Sequence, residues 1–197
     1  MPHLLRTRPS TLVSLFLVIA VGLGLGATSR AAAAEAAGAS PTTEMFLSIE
    51  GVKGESTEAA HKDWIAVLTF QWGLSRSAGT TAGAGAISGT AKSDDFIITK
   101  RVDLSTPKLM DAAARSRPYN TVVLSVCERT PAGLVEYLRF TMSDVVVTSI
   151  DIAGDAGSAR DTDTTVLTFA RISVVYTKPP AWPLTQFNWD FARNTSF

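Results

Sequence analysis

Alternating apolar and polar side chains dominate the sequence from Met45 onward. Between positions 64 and 74 the apolar residues recur at every second position, at Trp64, Ala66, Leu68, Phe70 and Trp72. A period of two is typical of a β-strand with one buried face. The pattern therefore predicts a strand over 64–74 that buries those five side chains.

Further short apolar runs lie between turn-forming residues, and each predicts another strand. These runs cover residues 45–49, 95–102, 120–128, 134–140, 144–152 and 164–177. In the run 95–102, Phe96 and Ile98 fall on one face. Residues 130–133 (TPAG) predict a hairpin turn, and Ser143 with Asp144 marks a break between two later strands.

One segment departs from the β pattern. Ser105 and Thr106 supply a hydroxyl cap, Pro107 falls in the first turn, and residues 108–115 are good helix formers. We expect the helix to dock through Leu109, Met110 and Ala113. Many short strands with a single helix favour a mainly β fold: an antiparallel β-barrel or two packed sheets with one flanking α-helix.

The first 34 residues have the composition of an export signal. Arg6 and Arg8 precede an apolar run over 12–27, and residues 32–34 (AAA) fit a signal-peptidase site. That run is short for a membrane-spanning helix. We predict a cleavable signal peptide over 1–34, a flexible linker over 35–44, a β-barrel domain over 45–178 and a C-terminal tail over 179–197.

This organisation predicts a protein that is exported to the periplasm or the cell exterior, with no stable membrane insertion after cleavage. Two alternatives remain for the leader. It could be an uncleaved anchor helix, or translation could begin at Met45, which would place the protein in the cytoplasm before secretion.

Charge and cysteine content narrow the function classes. Removing the three leader arginines from the 18 basic residues leaves 15 basic against 18 acidic residues, a net charge of −3. This balance gives no electrostatic reason to bind nucleic acid or an anionic membrane. Cys127 is the single cysteine, so it cannot form an intrachain disulfide.

Candidate catalytic and metal-binding residues are few. His3 lies in the leader, so a serine hydrolase would depend on His61, and the sequence has no G-x-S-x-G motif. One histidine and one cysteine are too few for a zinc site. We predict that His61 is an exposed structural residue, and that the chain has no catalytic residue, cofactor or metal.

Two other patterns invite a chemical interpretation. The acidic pairs Asp94–Asp95 and Asp161–Asp163 stand in turn-like sequence, which favours solvated loops over a general acid–base pair. The glycines between 79 and 89 are not followed by the lysine and hydroxyl residue of a phosphate-binding loop, so they predict a surface loop.

Residues 46–56 (FLSIEGVKGES) are similar to the opening of the Hcp (haemolysin-coregulated protein) family of type VI secretion. In that family an apolar strand runs into a Gly-x-x-Gly-Glu-Ser turn. A strand ending in Trp72-Gly73, the loop at 79–89, Lys100, Asp103 and the helix start at 105–109 follow in the family's order. Further likeness at Tyr137-Leu138, Asp144-Val145, Tyr176, Trp189-Asp190 and Asn194 extends the resemblance over about 45–197.

The resemblance implies an Hcp-like barrel that forms hexameric rings, which stack into a tube able to carry effectors. The implied partners are other copies of the chain and the effector and spike proteins of a type VI apparatus, with no cofactor and no catalysis. It also implies interface residues: Gly51, Val52, Lys53, Gly54, Glu55 and Ser56 in ring stacking, and Gly83 and Gly85 near a neighbouring subunit.

The leader departs from the family pattern, because these subunits are normally made in the cytoplasm and leave through the apparatus without a cleaved signal. A second hypothesis is therefore an exported, monomeric Hcp-like barrel. Such a protein would use its aromatic residues to bind a small ligand or a polysaccharide.

Overall fold

The computed structural model describes residues 42–76, 89–157, 159–177 and 184–197. The predicted signal peptide, most of the predicted linker, and Gly83 and Gly85 lie outside these ranges. The described residues form one helix, α1 (Thr106–Arg115), and ten strands: β1 (Thr42–Ile49), β2 (Ile65–Gln71), β3 (Leu74–Arg76), β4 (Ala91–Ser93), β5 (Phe96–Arg101), β6 (Pro118–Thr130), β7 (Gly133–Ala153), β8 (Thr162–Thr168), β9 (Arg171–Tyr176) and β10 (Thr185–Asp190).

Six strands close into an antiparallel barrel. Their order is β7-β6-β1-β2-β5-β8, and β8 pairs again with the second half of β7. Full closure leaves no free edge among these six strands. The mainly β prediction with one flanking helix is confirmed.

Strand β7 is the longest element and corrects two predicted boundaries. Residues 134–140 and 144–152 are parts of one strand, because Asp144 continues the chain with a φ of 57° while pairing is kept on both sides of it. Conversely, the predicted strand 164–177 is two strands. β8 pairs with the second half of β7 and β9 with the first half, so the chain must break at Phe169 and Ala170.

The predicted buried face of the strand over 64–74 is wrong for its first half. Ile65 and Val67 face the core, whereas Leu68 is 43% exposed. A register shift between Val67 and Thr69 inserts one extra residue, after which Phe70 packs inward. Such a bulge reverses the inward and outward positions, and a period-two pattern cannot show it.

The barrel interior is filled by aliphatic side chains and, near one end, by aromatic rings. Phe140 contacts Phe70 and Phe96 edge-on, with ring centroids 5.3 and 5.5 Å apart. Trp72 adds a further edge-on contact with Phe140 at 6.2 Å. Phe96 and Ile98 are both buried as predicted.

Helix α1 docks through a face that was only partly predicted. Leu109 and Ala112, three positions apart, are buried, whereas Met110 is 46% exposed. Residues three apart share a helix face, whereas adjacent residues do not. The predicted hydroxyl cap is also wrong, because Ser105 makes no side-chain cap and its hydroxyl donates to Asp103 Oδ1 instead.

Two predicted flanking segments contain strand residues. β1 begins at Thr42, so residues 42–44 pair with β6 rather than belonging to the linker. β10 lies in the predicted tail and pairs with β9 along six residues. Among the residues the structure describes, no helix has the length and apolar content needed to cross a membrane.

Candidate functional site

The β1–β2 loop, residues 50–64, carries most of the residues that the resemblance points to. The pairing register places it at the same end of the barrel as the β5–α1 connection and the β7–β8 connection. This end is called the loop end below. Three chain connections therefore meet there and form one composite surface.

Two glycines shape the loop. Gly51 has a φ of +76°, a left-handed conformation that suits glycine. Gly54 passes so close to the backbone of Trp64 and Ile65 that a β-carbon would overlap it. Its amide donates to the carbonyl of Asp63 at 2.8 Å. The conformation of the loop thus depends on both glycines.

The six predicted stacking residues divide into two sets. Gly51, Lys53 and Glu55 are exposed, and Lys53 pairs with Asp63 at 3.5 Å. The other three, Val52, Gly54 and Ser56, are buried and hold the loop against the barrel. The other two predicted residues, Gly83 and Gly85, lie outside the described ranges.

Glu55 joins the three connections at the loop end. Its Oε1 accepts a hydrogen bond from the Leu104 amide at 3.2 Å, and its Oε2 accepts one from Arg160 Nη1 at 3.1 Å. A depression of about 200 Å³ lies beside it, lined by Ala66, Leu68, Arg101, Asp103 and Arg160. Leu104 is 67% exposed, so this surface combines apolar and charged groups.

His61 is buried rather than exposed, which corrects the prediction. Its ring stacks on Phe46 with centroids 4.4 Å apart, and only 6% of the residue is accessible. Nδ1 lies 2.9 Å from Glu58 Oε2, and Nε2 lies 3.0 Å from Ser125 Oγ. The Ser125 hydroxyl donates to Glu136 Oε2. We call Glu58, His61, Ser125 and Glu136 the His61 cluster.

The His61 cluster has the residue types of a nucleophile, base and acid, but it cannot act as one in this conformation. Ser125 is completely buried, and its proton is directed to Glu136 rather than to His61. The hydrogen bond from His61 lowers the pKa of Glu58 below its ordinary value. Burial raises the pKa of the neighbouring Cys127 thiol, which favours its unreactive form.

A second polar cluster is buried inside the fold. Lys100 Nζ donates to Asp163 Oδ2 at 2.6 Å, to Asp103 Oδ1 at 2.8 Å and to Thr106 Oγ1 at 2.8 Å. We call Lys100, Asp103, Thr106 and Asp163 the Lys100 cluster. The prediction that Asp163 lies in a solvated loop is wrong. Asp163 belongs to β8 and is 1% exposed.

The sequence identified more residues of the Lys100 cluster than of the His61 cluster. The resemblance included Lys100, Asp103 and the residues around Thr106, but not Asp163. Asp163, Thr165 and Leu167 alternate at period two on the buried face of β8, and this signal could have found Asp163. Asp94 and Asp95 do border an open polar depression, as expected for solvated residues.

No three histidine, cysteine or acidic side chains within the described ranges are arranged to hold a metal ion. An apolar cleft of about 310 Å³ lies between the β3–β4 hairpin and β10, lined by Leu74, Ser75, Arg76, Ala91, Phe187 and Trp189.

Known proteins are similar to this chain in sequence. The family described as "Type VI secretion system effector, Hcp" matches residues 46–176. Protein hcp1 of Pseudomonas aeruginosa is 36% identical over 133 residues, which cover 68% of this chain and 82% of that protein.

Solved structures share this fold. A type six secretion system protein superimposes with a TM-score of 0.73 at 24% identity, covering 79% of this chain and 100% of its own. Hcp1 from Salmonella typhimurium gives 0.67 at 24% identity over 79% and 99% of the two chains. A type VI secretion system effector from Yersinia pestis gives 0.62 at 25% identity over 74% and 98%.

Proposed function

Because the chain belongs to the Hcp family of the type VI secretion system, we propose that it is a structural tube subunit that forms hexameric rings and stacks them end to end. The subunit acts without catalysis, and its partners are copies of itself together with effector and spike proteins of the apparatus.

The family match over residues 46–176 carries the proposal, because it includes the second half of β1 and all of the other five strands of the closed barrel. A head-to-tail contact between two different surfaces of identical subunits closes into a ring when its rotation divides the circle. The barrel offers distinct surfaces for this purpose, with loops and α1 at the loop end and the β3–β4 hairpin with Asp94 and Asp95 toward the other.

We assign ring stacking to the loop end. Lys53 and Glu55 are exposed on the β1–β2 loop, and Leu68 and Leu104 add exposed apolar surface near Glu55. Apolar side chains with charged neighbours are a common composition for protein interfaces. In this proposal Val52, Gly54 and Ser56 preserve the loop conformation, and Gly83 and Gly85 lie near a neighbouring subunit.

Leu104 offers a sharp test of assembly. We expect the chain from Glu35 to give sixfold masses in native mass spectrometry and stacked rings in electron microscopy. Leu104→Glu should weaken stacking about tenfold or more, because the carboxylate loses its hydration in the interface without gaining a partner, and about 1.4 kcal/mol already corresponds to tenfold. Leu104→Met keeps the apolar contact and is the matched control. A wild-type chain that stays monomeric at every concentration would refute the proposal.

We further propose that residues 1–34 are removed during export, so that the subunit works in the periplasm or outside the cell. The pairing of residues 42–44 with β6 supports a folded chain that starts upstream of Met45. Sequencing the N-terminus of the protein from its natural host tests this. A terminus near Glu35 is expected, and Met45 as the first residue would contradict it.

The apolar cleft favours a second candidate, a barrel that binds a ligand. Phe187 and Trp189 stack with centroids 6.2 Å apart beside the cleft, and Trp189 Nε1 is buried without a hydrogen-bond partner among the described residues. Such surfaces suit sugars or small aromatic compounds. A monomer whose tryptophan fluorescence responds to an oligosaccharide would favour this candidate over the tube subunit.

A further inference from the structure

Strand β5 has unpaired charges of opposite sign at its two ends. Arg101 is the last residue of β5, and Asp94 and Asp95 directly precede its first residue. All three side chains are exposed, and none of them has an ion pair or a side-chain hydrogen bond among the described residues. These charges are therefore available to a second molecule.

The alternation of side chains along β5 places both signs of charge on one outward face. Phe96, Ile98 and Lys100 are buried, so Asp95 and Arg101, which alternate with them, point away from the core. Six residues of extended chain, at about 3.3 Å each, separate Asp95 from Arg101 by about 20 Å. This outward face is therefore positive at the loop end and negative at the end near the β3–β4 hairpin.

At the loop end, Arg101 is the cation without a partner in the depression beside Glu55. Arg160 is paired with Glu55 at 3.1 Å, and Asp103 with Lys100 at 2.8 Å. Arg101 lines the same depression and has no such partner among the described residues. A guanidinium holds its donors in a fixed planar fork, so it suits a carboxylate supplied from outside the subunit.

At the other end, Asp94 and Asp95 line an open depression of about 490 Å³, called the acidic depression below, and no cation of the described residues lines it. Hydrogen bonds fix its walls. Trp72 Nε1 donates to Ser93 Oγ at 2.9 Å, and the Asp94 amide donates to the Gly73 carbonyl at 2.9 Å. Asp94 Oδ2 lies where a side chain on residue 73 would be, so Gly73 leaves room for the carboxylate.

We propose that Arg101 of one subunit binds the acidic depression of a subunit in the next ring, so that a second copy of this chain occupies each site. The proposal rests on the proposed function, because end-to-end stacking brings the loop end of one ring against the opposite end of the next. Charge complementarity favours a second copy as the partner, since each surface has the unpaired charge that the other lacks. Stacking of two like ends would bring like charges together and is disfavoured.

The expected effect depends on how many copies of the pair act together. An exposed ion pair changes an equilibrium constant only about twofold, because water and salt screen it. Two hexameric rings in contact would share six copies of the pair. Their combined effect on the ring-to-ring association constant should therefore exceed about tenfold.

A charge exchange in the full chain tests the contact. Arg101→Glu and Asp95→Lys each place like charges opposite one another, so either change alone should lower ring-to-ring association more than about tenfold. The double variant restores opposite charges in exchanged positions and should recover most of the wild-type stacking. Analytical ultracentrifugation measures the stacks, and native mass spectrometry measures the hexamers separately.

Matched variants separate a specific contact from a change in net charge. Lys108→Glu reverses an exposed cation on α1 that does not line the loop-end depression. Combined with Asp95→Lys, it should not restore stacking. Arg101→Lys keeps the positive charge and should retain most of the stacking, whereas Arg101→Gln removes the charge and should not.

Wild-type stacks that the double variant fails to recover would overturn the contact and leave the proposed tube subunit in place. Loss of the hexamer itself in Arg101→Glu would also overturn it, because Arg101 would then act within a ring. Charge-dependent dimers in place of stacks would have the same consequence. A wild-type chain that forms neither hexamers nor stacks would overturn both this contact and the proposed function.

Discussion

The Lys100 cluster and the His61 cluster are both buried and both join a connection to the barrel, but their charges differ in kind. Lys100 meets Asp163 and Asp103, groups that are ordinarily charged throughout the neutral pH range. His61 meets Ser125 and Glu58 through hydrogen bonds of 3.0 and 2.9 Å. Ion pairs between buried groups therefore hold the first attachment, and hydrogen bonds of a partly exposed loop hold the second.

Position explains why the two attachments can differ. Thr106 opens α1 and accepts a hydrogen bond from Lys100 while donating to Asp163, so the Lys100 cluster joins β5, β8 and the helix inside the fold. The His61 cluster lies outside the barrel wall, beneath a single loop. Loss of the first should affect the whole fold, whereas loss of the second should affect the loop.

The largest effect is expected from Lys100→Met. Removing the ammonium leaves Asp163 and Asp103 buried without their cation, which should lower the free energy of unfolding by about 3–5 kcal/mol. Urea denaturation measures it. Lys92→Met, at an exposed lysine of β4, is the matched control and should leave the midpoint unchanged.

A double variant, Lys100→Met with Asp163→Leu, sharpens this result. If the uncompensated charge causes most of the loss, the double variant should be more stable than Lys100→Met alone. A Lys100→Met protein as stable as the wild type would show that the Lys100 cluster does not secure the fold.

A smaller effect is expected from Gly54→Ala. The new methyl group would overlap the backbone of Trp64 and Ile65, so the loop must move, at about 1–3 kcal/mol. Thermal unfolding measures the loss. Gly51→Asn is the control, because asparagine tolerates the left-handed φ at that position and no atom lies near.

The smallest effect, confined to acid, is expected from Glu58→Gln. The pKa of Glu58 is lowered in the fold, mainly by the hydrogen bond from His61. Its contribution is therefore present above the ordinary glutamate pKa and is lost as the pH falls through the lowered value. In the wild type, the protection of the loop amides against hydrogen exchange should therefore decrease as the pH falls into this acid range. Glu58→Gln should abolish that decrease, whereas Glu50→Gln, at an exposed position, should retain it.

Loop protection in the wild type that keeps rising toward acid would contradict the role of Glu58.

The alternation of apolar and polar residues is a local signal, so it predicted the individual strands and hence the fold class. It failed at positions whose burial or strand membership depends on a pairing partner elsewhere in the chain. Nothing near Leu68 signals the extra residue that reverses the buried face of β2, since the bulge is defined by pairing with β5. Likewise, Asp144 reads as a turn residue, yet neighbours on both sides hold it inside β7.

The resemblance points to residues 51–56 as interface residues, which stays a prediction, and the glycines there predict only a turn. His61 and Ser125 are 64 positions apart, and Lys100 and Asp163 are 63 apart. A single sequence carries no information on which distant polar residues share one buried space, so His61 and Asp163 were both expected in solvent.

Strand β7 has a mechanical consequence. Its first half lies between β6 and β9, and its second half closes the barrel against β8. The outer pair β9–β10 and the barrel wall therefore share one covalent chain and one hydrogen-bonded ladder. A force on the outer pair is therefore transmitted to the barrel through the backbone of β7 as well as through hydrogen bonds.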